Sequence, residues 1–154
     1  MTSPIEKLRD YGYELIRPKA PVASYIPITK VGKLIYISGQ ISIGADEVVV
    51  EGKLGETMNV VQGGNAAELC AVNLLSQIVY SADVRLEDVK QIVKLTIFVN
   101  SAPDFAEQHL VANGCSNLLI GVLGDKGKHA RSAIGMAGLP LGAAVEVEAI
   151  IEVA

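Results

Sequence analysis

The segment that most constrains the fold lies at the end of the chain, where apolar and acidic residues alternate. From position 145 to position 153 every second residue is apolar, and three of the four residues between them are glutamates. Successive side chains of a β-strand point to opposite faces of a sheet, so this pattern predicts a strand with one face in the core. The apolar side is Val145, Val147, Ala149, Ile151 and Val153. The acids on the other side, Glu146, Glu148 and Glu152, need water, cations or a neighbouring subunit around them.

Two long stretches with helical periodicity can cover the apolar face of that sheet. The apolar spacing predicts one helix from about Gly63 to Ala82, with Asn65 as its N-cap, and a second from Asp104 to Leu123. Gly114 interrupts the second helix. A glycine inside a helix costs about 1 kcal/mol relative to alanine, so Gly114 indicates either close approach to the sheet or a kink.

The other β-rich segments complete a mixed sheet. They are Ala23 to Thr29, Lys33 to Ser38 after a turn at Val31-Gly32, Val89 to Asn100, and Ala130 to Ala137; Val48 to Val50 is either a short edge strand or an ordered loop. Ser3-Pro4-Ile5-Glu6 predicts a short N-terminal helix with a capping box, which Gly12 ends. We therefore expect one α+β domain over residues 1–154, with residues 1–20 as a helical extension. Its sheet has five or six mainly antiparallel strands and two long helices on one face.

Composition limits the partners of this chain. The net charge is −4, and Lys and Arg are scattered, so no basic surface for nucleic acid is expected. Half of the residues are hydrophobic and the mean hydropathy is +0.37, which indicates apolar surface hidden against another chain. A homo-oligomer is therefore expected.

The cysteines and histidines do not form a metal-ligand pattern. Cys70 and Cys115 fall in separate apolar helix patterns, which predicts reduced core residues, and His109 and His129 have no partner at metal-ligand spacing. We expect no metal, no cofactor and no structural disulfide. No signal peptide or membrane span is predicted, so we expect a cytoplasmic protein without membrane contact.

One arginine stands out among small residues. Arg131 lies in His129-Ala130-Arg131-Ser132-Ala133, and on its side of the predicted strand it is the only bulky side chain. Its guanidinium offers a rigid set of donors that matches a carboxylate in a bidentate way. These residues indicate a pocket for a small organic acid, but a structural ion pair with Glu146 or a contact between subunits explains the same residues.

Motifs spread along the chain resemble a known family. In chain order they are Tyr25, Gly32 to Gln40, Asn73, Val89 to Lys94, Asp104-Phe105-Ala106, Ala130-Arg131-Ser132, Leu139-Pro140 and Val145 to Ile150. Together they resemble the RidA family, also called the YjgF family, over about Tyr25 to Val153. The chain is similar to a longer branch, with the N-terminal helix and the segment from Gly121 to Lys128 as additions.

The resemblance implies a chorismate-mutase-like fold and a homotrimer with clefts between subunits. It also implies hydrolysis of reactive 2-enamines and 2-imines, such as 2-aminoacrylate or 2-iminobutanoate, to 2-keto acids and ammonia without a cofactor. Arg131 matches the arginine that holds the substrate carboxylate, and Glu146 matches the acid that orients the attacking water. The resemblance further implies that the amide of Ala133 assists Arg131 and that Tyr25 and Gly39 line the cleft.

Departures from the family pattern affect one wall of that cleft. Gln108-His109 replaces a Val-Asn pair that many relatives have, and Asn113-Gly114-Cys115-Ser116 has no counterpart in the best-known members. The main alternative is a protein that binds or senses small keto acids without catalysis. A ribonuclease fits poorly with the acidic charge, and a chaperone-like role rests on surface hydrophobicity alone.

Overall fold

The computed structural model describes residues 1–21 and 23–154 and has the expected α+β architecture. The helices are α1 (Pro4–Asp10), α2 (Val60–Tyr80) and α3 (Gln108–Leu123), and the strands are β1 (Ile28–Val31), β2 (Leu34–Ile41), β3 (Val89–Asn100), β4 (Ala130–Met136) and β5 (Val145–Val153). One five-stranded sheet has the order β1-β2-β5-β3-β4, in which only β3 and β4 pair in parallel. The predicted mixed sheet with two long helices on one face and a short N-terminal helix is confirmed.

The alternating terminal segment is β5, and it lies at the centre of the sheet. It pairs antiparallel with both β2 and β3, and its five apolar side chains are each at most 4% exposed. α2 and α3 pack on this face and on each other, with α2 against β2 and β5, and α3 against β3 and β4. The core therefore lies between one face of the sheet and the two long helices.

The opposite face of the sheet is open in a single chain. Tyr36 of β2 and Ile134 of β4 are each 42% exposed there. A cleft of about 310 Å³ on this face is lined in part by Tyr36, Lys94 and Glu148. This surface combines apolar and charged side chains.

Both long helices begin at places that differ from the predictions. The N-cap of α2 is Asn59, six residues before the predicted one, because Asn59 and Gln62 form a capping box with two hydrogen bonds of 2.9 Å. Asn65 therefore lies inside the helix rather than at its cap. α3 starts at Gln108 instead of Asp104, since the Phe105 amide closes a turn onto the Ala102 carbonyl.

Two smaller predictions, the start of the first strand and the position of its turn, also need correction. β1 begins at Ile28 rather than Ala23. The hairpin turn is Gly32-Lys33, because Val31 is already paired with Leu34 and Gly32 has a φ of +59°. Val48 to Val50 is an ordered loop, in which Val49 forms an isolated bridge to Ile43. The capping box of Ser3 and Glu6 at the start of α1 is confirmed.

Gly114 marks a close approach between the two long helices, and not an approach to the sheet. A Cβ atom on Gly114 would lie 2.1 Å from the Gly64 carbonyl oxygen of α2. A backbone atom cannot turn aside as a side chain can, so the two helices pack this closely only while position 114 has no side chain.

We predict opposite effects for alanine at these two glycines. Gly114→Ala forces α3 away from α2 and lowers the free energy of unfolding by about 1–3 kcal/mol. Gly64→Ala is the matched control, because a Cβ there meets no atom within 4 Å. This second change raises the free energy of unfolding by up to about 1 kcal/mol through helix propensity. Urea unfolding of both variants measures the difference, and equal shifts would contradict the close packing.

Candidate functional site

A bulge in β2 places Gly39 directly against Glu146 of β5. The pairing of β2 with β5 shifts register between Ile37 and Gln40. A Cβ atom on Gly39 would lie 2.6 Å from Oε1 of Glu146 and 2.8 Å from its carboxyl carbon. Glycine at position 39 therefore leaves the space that this carboxyl group occupies.

Glu146 has the properties of a group that can exchange protons. Burial raises the pKa of its carboxyl above the usual value of 4.5, and the neighbouring Glu148 adds to the rise. Its side chain is only partly exposed on the open face of the sheet. A carboxyl group with a raised pKa can accept and return a proton closer to neutral pH than an ordinary glutamate can.

Tyr25 and Gly39 line a second, larger cleft of about 660 Å³. Its walls come from the segment before β1, from the end of β2 and its following loop, and from two amide side chains of α2, Asn73 and Gln77. Asn73 holds the end of β2 in place, because its Nδ2 donates to the Ile41 and Ile43 carbonyls at 3.1 and 2.9 Å. Gly39 thus lines the same cleft as Tyr25 and also lies against Glu146.

Arg131 lies elsewhere, on the edge strand β4, where α3 holds its guanidinium. Nη1 donates to Asn113 Oδ1 at 2.9 Å and to Ser116 Oγ at 3.1 Å, and Nη2 donates to the His109 carbonyl at 3.2 Å. Positions 109, 113 and 116 are spaced four and three residues apart, so they share one face of the helix. All three acceptors are uncharged. The arginine is therefore oriented while its charge stays unneutralised by these contacts.

The register of the sheet places Arg131 and Glu146 on opposite faces. Arg131 is aligned with Leu95 of β3, a fully buried residue on the helix side, whereas Glu146 is aligned with Phe98. Residues 95 and 98 are an odd number of positions apart and so point to opposite faces. An ion pair between Arg131 and Glu146 within one chain is therefore excluded.

Ala133 lies near Arg131 and not with Tyr25, Gly39 and Glu146. It lies two positions further along β4, is aligned with the buried Ile97, and packs against the core on the helix side. One chain thus carries two groups of predicted residues. Arg131 and Ala133 form one group, and Tyr25, Gly39 and Glu146 form the other.

The residues that orient Arg131 were not predicted as such from the sequence. In the sequence, Asn113 and Ser116 stand out only as departures from the family pattern, and His129 only as a histidine without a metal-binding partner. His129 Nε2 lies 2.8 Å from Ser116 Oγ, so it joins the same cluster. Polar residues at helical spacing within the apolar α3 were the available signal, but their partner depends on how α3 lies on the sheet.

The two cysteines are inert core residues. Cys70 and Cys115 are both free and buried, and burial raises the pKa of the Cys115 thiol to about 12. Within residues 1–21 and 23–154, no three His, Cys, Asp or Glu side chains come together as metal ligands do. Over the same residues, no helix combines the length and apolarity needed to cross a bilayer.

Comparison with known proteins identifies the family. The family model described as endoribonuclease L-PSP matches residues 16–153. The chain belongs to this family. It is the YjgF/RidA family that the sequence motifs resemble.

Relatives extend over nearly the whole chain. Protein TCP17 of Trypanosoma cruzi is 42% identical over 146 residues, which are 94% of this chain and 91% of TCP17. The crystal structure of Atu1372 from Agrobacterium tumefaciens is 43% identical and has a TM-score of 0.91, covering 98% of this chain and 93% of Atu1372. RidA from an Antarctic Psychrobacter is 26% identical with a TM-score of 0.61, covering 89% and 94% of the two chains. The L-PSP fold of this chain is thus closer in shape to Atu1372 than to that RidA.

We predict that Glu146 lowers the stability of the fold at neutral pH. A carboxyl whose pKa is higher in the folded than in the unfolded state lowers the free energy of unfolding as pH rises from about 4.5 through the raised pKa. Glu146→Gln removes this pH-dependent decrease in the free energy of unfolding, because glutamine does not ionise. We expect a gain of less than about 1 kcal/mol at pH 7, since solvent screens a partly exposed group, and no gain at pH 4.

Thermal unfolding of Glu146→Gln at both pH values measures this effect. Glu152→Gln, on the exposed end of the same strand face, is the matched control and should change little. A Glu146→Gln variant that is less stable than the wild type at pH 7 would show that the carboxylate stabilises the fold instead.

Proposed function

We propose that this protein hydrolyses reactive 2-enamines and 2-imines, such as 2-aminoacrylate or 2-iminobutanoate, to 2-keto acids and ammonia. The observation that carries the proposal is the contact of Arg131 with three uncharged oxygens of α3. A guanidinium that is oriented but not neutralised retains its affinity for a carboxylate, and these substrates all carry one. Membership of the L-PSP family, which includes proteins named RidA, supports the same reaction.

The proposed chemistry needs only water as a second reactant. An enamine first takes a proton on the carbon next to its amine-bearing carbon, and an imine takes one on its nitrogen; both give the iminium ion. Arg131 holds the carboxylate, and Glu146 accepts a proton from a water molecule as the water oxygen bonds to the iminium carbon, which gives a carbinolamine. Glu146 then passes this proton to the amine nitrogen. The carbon–nitrogen bond breaks, the hydroxyl group gives up its proton to the departing ammonia, and a 2-keto acid and an ammonium ion remain.

The proposed reaction requires only a modest rate enhancement from the site. Such imines already decay in water, so a few factors of ten, at about 1.4 kcal/mol each, make the protein useful. Orientation of the acid by Arg131 and placement of one water by Glu146 are contributions of that size. A raised pKa suits Glu146 to this exchange of protons.

We propose that the complete site forms between two copies of the chain. Arg131 and Ala133 of one copy would face Tyr25, Gly39 and Glu146 of another, because within one chain Arg131 and Glu146 lie on opposite faces of the sheet. The open sheet face, where Tyr36 and Ile134 are each 42% exposed, gives further copies a surface to cover. The family resemblance favours a homotrimer.

An RNA-cleaving activity, which the family description names, has less support in this chain. The net charge is −4, and Lys and Arg are scattered along the sequence. A protein that binds RNA through its phosphates needs a concentrated basic surface. Small carboxylic acids need only one oriented arginine.

We predict that Arg131→Ala lowers kcat/KM for enzymatically generated 2-aminoacrylate by about 100-fold, because a bidentate charge-assisted contact contributes about 3 kcal/mol. The assay measures pyruvate and ammonia released above the rate without protein. Arg85→Ala is the matched control, since Arg85 pairs with Asp88 at 2.9 Å on an exposed turn.

Equal rates for the wild type and Arg131→Ala would reject the proposed reaction. Calorimetric binding of pyruvate to the wild type without any release of ammonia would favour the alternative of a non-catalytic keto-acid binder.

A further inference from the structure

A chain of three hydrogen bonds runs behind Arg131 and ends at a backbone carbonyl. His129 Nδ1 lies 2.6 Å from the Gly127 carbonyl oxygen, and His129 Nε2 lies 2.8 Å from Ser116 Oγ. Ser116 Oγ in turn lies 3.1 Å from Nη1 of Arg131. Ser116 is buried in α3, and His129 immediately precedes β4, so the relay connects the helix with the start of the arginine's own strand.

The chemistry of the end groups fixes the direction of every bond in this relay. A carbonyl oxygen only accepts, so His129 Nδ1 carries the ring proton. A guanidinium only donates, so Ser116 Oγ accepts from Arg131. The hydroxyl proton of Ser116 is then directed to His129 Nε2, which accepts when the imidazole is neutral. Each group is satisfied in this single arrangement.

We propose that Ser116 and neutral His129 are positioning residues that hold Arg131 ready for a carboxylate, and that protonation of His129 disrupts this hold. A protonated Nε2 donates to Ser116 Oγ instead of accepting from it. The serine hydroxyl then faces two cationic donors, the imidazolium and the guanidinium, and its own proton loses its acceptor. This inference rests on the proposed function, because it assigns the regulation of the proposed carboxylate site.

The surroundings favour the neutral imidazole at physiological pH. Burial lowers the pKa of His129 below 6.5, the Gly127 carbonyl opposes this shift, and the positive charge of Arg131 on β4 adds to it. Other charged groups on the adjoining turn are paired elsewhere. Lys128 contacts Asp125 at 2.8 Å, and Lys126 donates to the Glu87 carbonyl at 3.1 Å. Lys94 of β3 lines the cleft on the opposite face of the sheet.

These contacts determine how acidification changes the free energy of unfolding and the affinity for a 2-keto acid. Because the folded state resists protonation of His129, acidification below about 6.5 lowers the free energy of unfolding until the folded pKa is passed. The relay behind Arg131 is lost as the pH falls further, through the lowered pKa of His129 in the folded state. The affinity for a 2-keto acid should therefore fall as the pH falls, because the hydrogen bond from Arg131 to Ser116, which orients the guanidinium, is weakened.

The experiment measures pyruvate binding by calorimetry from pH 8 to pH 5 in the wild type and in His129 and Ser116 variants. We expect the wild-type Kd to rise about tenfold as His129 becomes protonated, which corresponds to about 1.4 kcal/mol. His129→Gln keeps an acceptor for Ser116 but does not titrate, so its pH dependence should largely vanish. Ser116→Ala should bind about tenfold more weakly at pH 8, and Ser116→Thr, which keeps the hydroxyl, should recover most of the affinity.

A ligand-free measurement separates this inference from the proposed function. Nitrogen-15 NMR of the His129 ring should show a neutral, Nδ1-protonated tautomer at pH 7.5, and the Arg131 Nη–H signals should broaden as His129 titrates. If the wild type binds no pyruvate and releases no ammonia, the proposed function fails, and the NMR result alone decides the relay. An Nε2-protonated tautomer, or unchanged pH dependence in His129→Gln, would overturn the inference.

Discussion

Three uncharged oxygen atoms on one face of α3 hold the guanidinium of Arg131 at the edge of the sheet. A carboxylate of the protein in place of these oxygens would bind the guanidinium more strongly. It would also neutralise the positive charge that attracts the carboxylate of a substrate. Neutral acceptors orient the side chain and leave its charge available. The proposed reaction and the proposed acid-sensitive relay both depend on this contact.

The two-sided sheet explains why the candidate site is divided. Its alternating central strand, β5, gives its apolar side to the helices and leaves Glu146 on the other face. Arg131, on the edge strand, points towards α3. The helices keep their positions through a close contact at Gly114, so small changes in their packing would move the oxygens that hold Arg131. Stability of the core and geometry of the site are thus linked through α3.

The sequence predicted features that depend on local patterns. The period of two in β5 and the apolar stripes of the long helices are visible without any partner, so the architecture followed from them. Helix starts were less accurate, because Gly63-Gly64 resembles a helix breaker although the capping box lies at Asn59. Arg131 could be identified by its small neighbours. Its contacts with Asn113 and Ser116 could not, since they depend on how α3 is rotated over the sheet, and its separation from Glu146 depends on the register with β3.

The central claim, that Arg131 of one copy acts with Glu146 of another, is tested most directly by mixing subunits. Arg131→Ala and Glu146→Gln subunits are each prepared alone, and are then dissociated and reassembled together at equal amounts. Random assembly restores both groups at about a quarter of the interfaces, so the mixture should regain a comparable share of the deaminase activity proposed for the wild type. Activity that stays at the level of the separate variants, in oligomers shown to contain both subunits, would contradict a site shared between chains.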